Sequence, residues 1–174
     1  MKKKIHSYLV LLLIASIIIA LDQWTKALVR DNLAMGEIWM PWVWLSPYAR
    51  VVHWYYPCVA FGMFQDHGMI FKVLNSIIAV LILVFFPRLS EGDWFLKVAL
   101  SMQFGGAVGN LIDRFTLGHV TDFISIGNFA VFNIADASVT MGVGIMILGL
   151  WYQEKRDKAQ KALAENEHAG DQPG

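Results

Sequence analysis

Cysteine is almost missing from this chain: Cys58 is the only one in 174 residues. A single thiol excludes an internal disulfide, and a lone cysteine ordinarily serves as a small buried apolar residue. Charge is scarce too. Only 16% of the residues are Asp, Glu, Lys or Arg, against roughly a quarter in an ordinary soluble domain. The 14 basic and 14 acidic residues cancel, so no net field points to nucleic acid as a partner. There is no G-x-S-x-G, no H-E-x-x-H and no group of histidines at ligand spacing. Those gaps set aside the serine-hydrolase elbow and the zinc-peptidase helix, and neither a metal nor a cofactor is expected.

What the chain has instead is apolar residues, 56% of the total, gathered in four long runs. The length suits one membrane domain, residues 1–151, followed by a charged tail, 152–174. The runs predict membrane spans at about 7–29, 69–86, 94–112 and 132–151, each near the ~20 residues that cross a hydrocarbon core of ~30 Å. Pro87 is expected to stop the second. Lys2, Lys3 and Lys4 imitate the basic start of a secretory signal peptide. No small-x-small cleavage site follows, however, and three more runs do, so the first run is expected to be retained.

Direction follows from lysine and arginine. The three amino-terminal lysines, Arg88 between spans two and three, and Lys155, Arg156, Lys158 and Lys161 in the tail share one side of a four-span chain. That side is expected to be the cytoplasm, with both termini in it. The long outer segment, 30–68, is crowded with aromatic rings, among them Trp39, Trp42, Trp44, Tyr48, Trp54, Tyr55, Phe61 and Phe64. Tryptophan and tyrosine favour the bilayer interface. Extended stretches around Val43 and Val51, punctuated by Pro41, Pro47 and Pro57, predict a small β-sheet on the outer membrane surface. The segment reads as an aromatic belt alone or as a platform for a lipid-bearing substrate.

An ionisable residue inside a span costs at least ~2.5 kcal/mol at the bilayer centre and needs a reason. With this topology Asp22, Asp113, Asp122 and Asp136 all fall in one layer at the outer edge. Asp22 and Lys26 are four apart and can pair on one helix face; a structural ion pair is the simpler reading. Asn110 and Asp113 are three apart, as are Asn133 and Asp136, so each amide shares a face with its aspartate. Arg114 follows Asp113, and that group reads as structural or substrate-orienting. Gly105, Gly106 and Gly109 predict a close approach of the third span to a neighbour. Asp122, in a short loop, and Asp136, near the start of the fourth span, are fourteen residues apart with no lysine between. Two carboxyls brought together there cannot both ionise cheaply, so they share a proton. Such a pair can take a proton from water with one member and give one with the other, which suffices for peptide hydrolysis. His119 lies in the same loop and reads as a solvated residue.

The segments Asp22-Gln23-Trp24-Thr25-Lys26, Gly105-Gly106-Ala107-Val108-Gly109-Asn110-Leu111-Ile112-Asp113-Arg114, Gly118-His119-Val120-Thr121-Asp122-Phe123 and Phe132-Asn133-Ile134-Ala135-Asp136 resemble the lipoprotein signal peptidases, the type II signal peptidases of bacteria. The resemblance covers nearly the whole chain and implies a four-span bundle with an interfacial sheet, in the cytoplasmic membrane, its site facing outward. It implies an aspartyl peptidase that cuts prolipoproteins just before a cysteine already carrying diacylglycerol, with membrane lipids as its other contacts and a monomer as its state. Asp122 and Asp136 would be the catalytic pair. Asp22, Lys26, Asn110, Asp113, Arg114 and Asn133 would shape the site and hold the substrate. One segment departs from the pattern: where the family has Asn, any residue, Gly ahead of Ala60-Phe61, this chain has Tyr56-Pro57-Cys58. That leaves open a paralogue of altered specificity, or a non-catalytic protein that binds lipid or lipoprotein. A proton or ion path is a further reading of intramembrane aspartates, disfavoured because none lines the inner half.

Overall fold

Helix follows from each apolar run. The computed structural model describes residues 2–40, 44, 47–55, 67–89, 93–127 and 129–170. Within it α1 spans Lys2–Asn32, α2 His67–Leu89, α3 Trp94–Thr116 and α4 Ile134–Gly170. All four are long and apolar enough to cross a bilayer, and their outward faces stay apolar, with Leu9, Leu13, Ile17, Val80, Val84, Ile147 and Leu148 exposed. The chain is thus a helical membrane protein of four spans. A three-stranded antiparallel sheet sits at the end where α1 and α3 finish and α2 and α4 begin. Its strands are β1 (Ile38–Trp39), β2 (Ala49–Trp54) and β3 (Asp122–Ile126) in spatial order β1-β2-β3.

Helix α3 is the hub, packed against each of the other three. Glycine makes that possible on two sides. A methyl group on Gly105 would lie 3.0 Å from the Ala15 Cα of α1, and one on Gly106 would collide with the Ala135 carbonyl oxygen and Ser138 Oγ of α4. Toward the other end of the bundle Leu11, Ile82, Phe86 and Leu100 form an apolar core.

One expectation about the helices changes. Pro87 does not stop α2, which continues to Leu89. Proline deprives the carbonyl four residues earlier of its donor, and that carbonyl, of Leu83, instead accepts from the Tyr8 hydroxyl at 3.0 Å. A partner from α1 therefore removes the cost of proline inside a lipid-embedded helix. The charged tail continues the last helix, since α4 runs on to Gly170.

The sheet differs in detail from expectation. Val51 lies in β2, Val43 lies outside the described residues, and Asp122, read from sequence as a loop residue, opens β3. Strand β3 pairs with β2 through Ala49↔Ile126, Arg50↔Ser125, Val51↔Ile124 and, after a register shift, Trp54↔Asp122. On its other edge the amides of Phe123 and Ile124 both donate to the Phe132 carbonyl, at 3.1 and 2.7 Å. Two residues against one make a β-bulge, which re-aims the side chains next to it. The bulge places Phe123 over a cavity behind α1, beside Trp39 and Val51, while Asp122 meets Asn133.

Candidate active site

Lys26 is fully buried at the end of α1 that carries the sheet, and an ammonium there needs all three donors satisfied. It meets Asp22 Oδ2 at 2.8 Å, Asn110 Oδ1 at 3.0 Å and Asp113 Oδ2 at 3.3 Å. Arg30 approaches the other oxygen of Asp113 at 3.8 Å, so two carboxylates face two cations. Hydrogen bonds complete the set. Asp22 Oδ1 accepts the amide of Ala135, in the first turn of α4 where backbone donors lack helical partners, at 3.0 Å. Asp113 accepts the Thr121 amide at 3.0 Å and Gln23 Nε2 at 3.1 Å. This cluster ties α1, α3, α4 and the start of β3 together. Gly109 lets it form, since a Cβ there would lie 2.8 Å from Asp22 Oδ2.

The second pair of aspartates lies against the same cluster but meets amides instead of cations. Asn133 is the cap of α4: its Oδ1 accepts the Asp136 amide at 2.9 Å, and its own amide reaches back to Asp136 Oδ2 at 3.4 Å. That reciprocal arrangement is a capping box built from Asn and Asp. The Asn133 side-chain amide then donates to Asp122 Oδ1 at 2.7 Å and to Asn110 Oδ1 at 3.1 Å. Asn110 in turn donates to Asp136 Oδ1 at 2.7 Å. Asp122, Asn133, Asn110 and Asp136 so form one continuous chain of hydrogen bonds, with Lys26 behind it. Among the described residues no lysine or arginine nitrogen lies within 4.0 Å of either Asp122 or Asp136.

Burial, and then the neighbouring charge of Asp136, push the Asp122 carboxyl up to about 7. The hydrogen bond from Asn133 and the more distant charges of Lys26 and Arg114 act in the opposite direction. Asp122 therefore holds a proton at neutral pH far more readily than a solvated aspartate does.

All eight residues singled out from the sequence, Asp22, Lys26, Asn110, Asp113, Arg114, Asp122, Asn133 and Asp136, come to this end of the bundle. Two details differ from expectation. Asn133 does not share a helix face with Asp136 but caps the helix that begins after it. His119 is half-buried instead of solvated, its ring 4.4 Å from that of Tyr55. Sequence reasoning missed Gln23, Arg30 and Thr121. Arg30 continues the row Asp22, Lys26 at i+8 and was legible by that spacing. Gln23 and Thr121 carry no such signal toward Asp113, which lies 90 and 8 residues away from them. Tyr56, Pro57 and Cys58 lie outside the described residues, as do Ala60 and Phe61.

Known proteins match this arrangement along most of the chain. The family model described as signal peptidase (SPase) II matches residues 14–152. A lipoprotein signal peptidase of Shouchella clausii is 38% identical over 151 residues, covering 84% of this chain and 95% of that one. One of Halalkalibacterium halodurans is 33% identical over 153 residues, covering 86% and 96%. Among solved structures, a bacterial membrane enzyme determined in meso at 2.3 Å superposes with a TM-score of 0.74 at 29% identity, over 84% of this chain and 90% of that one. The chain belongs to the signal peptidase II family, the membrane peptidases of bacterial lipoprotein processing.

Proposed function

We propose that this protein removes the signal peptide from prolipoproteins whose cysteine already carries diacylglycerol, and that it cuts the bond just before that cysteine with an Asp122/Asp136 pair. The observation that carries the reading is the contrast at the site. One pair of aspartates is matched by cations, while among the described residues the other is held by Asn133 and Asn110, with Asp122 raised to about 7. A pair that shares one proton divides the work of hydrolysis. Asp136 takes a proton from the attacking water, and Asp122 gives its proton to the carbonyl oxygen as the tetrahedral centre forms. When that centre collapses, the cysteine nitrogen leaves with the proton returned by Asp136, and one hydroxyl of the centre gives its proton back to Asp122 as the new carboxyl group forms.

The remaining residues set geometry. Asn110 and Asn133 fix one oxygen of each catalytic carboxyl. Asp22, Lys26 and Asp113 lock the helix ends that carry them, and Arg114 stands where it steadies the substrate backbone and tempers Asp122. All of these come from one chain, so a monomer suffices. Residues 1–151 form the catalytic unit. Both termini, with the tail 152–174, lie in the cytoplasm, and the site faces outward from the bacterial cytoplasmic membrane. The two acyl chains of the substrate then hold its scissile bond at the depth of the aspartates.

The test is conversion of a diacylglyceryl-modified precursor in detergent by the wild type and by Asp122→Asn. The wild type releases the signal peptide, before and after chelator treatment, and the variant does not. Cleavage of the unmodified precursor at the same rate, or undiminished cleavage by the variant, overturns the reading.

A further inference from the structure

The sheet carries a groove that the site described above does not use. It has a volume of about 470 Å³, and Val52, Trp54, Phe129 and Val131 line it, with Arg50 and Ser125 at its far end. Residues opposed across antiparallel strands share a sheet face. Trp54 stands opposite Asp122, and Arg50 stands opposite Ser125. The groove therefore starts beside the catalytic carboxyl and ends three residues along β3, roughly 10 Å away at ~3.3 Å per residue.

Arg50 is exposed, and its Nε donates to Ser125 Oγ at 3.2 Å, which fixes the direction of the guanidinium. Among the described residues no carboxylate lies within 4.0 Å of it. The Nε bond leaves the two terminal nitrogens of this exposed guanidinium as further donors, and such a fork suits a carboxylate. Through the Trp54↔Asp122 pairing the groove lies within reach of one half of a peptide cut at Asp122 and Asp136.

We propose that the groove receives the first residues of the mature chain, and that Arg50, held by Ser125, selects an acidic side chain about three residues beyond the lipidated cysteine. This rests on the reaction assigned above, and it adds a charge preference to it. An exposed pair between Arg50 and an acidic side chain is worth a few-fold in binding. Exchanging attraction for repulsion doubles the effect, so an aspartate peptide and a lysine peptide should differ about tenfold at low salt and much less at high salt.

The experiment uses the full-length protein in nanodiscs and diacylglyceryl peptides that carry Asp, Asn or Lys at each of the first few positions after the cysteine. The expected result is a kcat/KM for Asp about tenfold above that for Lys at one position about three residues on, expressed mainly in KM. Arg50→Glu should reverse the order, and Arg50→Lys should keep it. An Asp-to-Lys ratio that is the same in wild type and Arg50→Glu overturns the proposal. So does a rate that follows the anionic lipid content of the nanodisc and not the peptide charge, because Arg50 would then anchor a headgroup. Binding of the same peptides to Asp122→Asn, alone and combined with Arg50→Glu, reads the subsite without turnover. If wild type cleaves nothing but binding still ranks Asp above Lys through Arg50, the reaction is wrong and the subsite stands. If cleavage proceeds but the ranking ignores Arg50, the subsite alone falls.

Discussion

Asp22 and Asp113 on one side, and Asp122 and Asp136 on the other, are four carboxylates at one end of the bundle, joined through Asn110. Asn110 accepts from Lys26 on the first side and donates to Asp136 on the second. The first pair encloses a lysine with zero exposure, is approached by Arg30, and has its remaining oxygens bound by backbone and side-chain donors. Among the described residues the second pair's hydrogen-bond partners are neutral amides, and Asp136 acts on Asp122. The comparison teaches that buried charge does two different jobs here. Where a cation accompanies it, the carboxylate is a fastener between helices. Where an amide accompanies it, as Asn133 accompanies Asp122, burial and a neighbouring carboxylate raise the proton affinity to about 7, which suits the acid role proposed for it.

The comparison breaks most visibly at the level of rate. Asp122→Asn and Asp136→Asn should each lower kcat on a lipidated precursor by about 10³ or more, with the helical circular-dichroism signal intact. Asp113→Asn should act mainly on thermal stability, with a smaller loss of turnover at a temperature where the variant is folded. Equal losses of kcat in all three variants would mean that the two pairs are one catalytic unit and that the division between them is false.

Removing the cation should show the other side. Lys26→Met leaves two buried carboxylates facing each other without their shared ammonium, and breaking a buried ion pair costs about 3–5 kcal/mol. Thermal unfolding in detergent should shift down accordingly. Adding Asp113→Asn to Lys26→Met should recover part of the loss, since it removes one of the stranded charges. A Lys26→Met protein as stable as wild type would show that the cluster is not what fastens the helices.

Much of this was legible in the residues, and the reason differs from feature to feature. The spans are visible because lipid demands long apolar runs whatever their partners. The pairing of Asp22 with Lys26 is local, a matter of one helical turn, and the glycines of α3 announce close approach on their own. What escaped depends on partners distant in sequence. Pro87 is tolerated because of a tyrosine 79 positions earlier, and no pattern within α2 records that. Strand β3 hides because the bulge opposite Phe132 buries Asp122 and Phe123 in succession, which destroys the alternation by which strands are read. Asn133 looks like a residue of the fourth helix because its spacing to Asp136 is three, and the same spacing also fits a capping box.

The cost of keeping Asp122 available can be measured as stability. Its folded value of about 7 exceeds the ordinary 3.8, so the folded protein binds this proton more tightly than the unfolded chain does. Stability from this group is therefore full below about 3.8 and is lost as pH rises through about 7. At ~1.4 kcal/mol per pH unit the loss is on the order of 4 kcal/mol. Asp122→Asn has no charge to bury, so at pH 8 it should unfold at a higher temperature than wild type, while the two converge at acid pH. An inactive variant that is also no more stable at pH 8 would place Asp122 in a wetter site than its contacts describe.

The finest distinction concerns Arg114, whose positive charge lowers the proton affinity of Asp122 by the least of the contributions named above. In the mechanism proposed above Asp122 must hold its proton to deliver it, so kcat/KM should fall as pH rises through about 7. Replacing Arg114 by glutamine removes a cation that favours the ionised carboxyl. Asp122 then keeps its proton to higher pH, and the alkaline limb should move upward by less than about one pH unit. Arg114→Lys keeps the charge and should leave the limb where it is, even if the shorter donor set weakens binding. The pH profile separates this from an effect on substrate. A glutamine variant whose KM rises while the limb stays fixed would mean that Arg114 holds the peptide and leaves the proton on Asp122 untouched. A limb that moves downward would contradict the sign of the interaction, and with it the claim that Asp122 is the member of the pair that carries the proton.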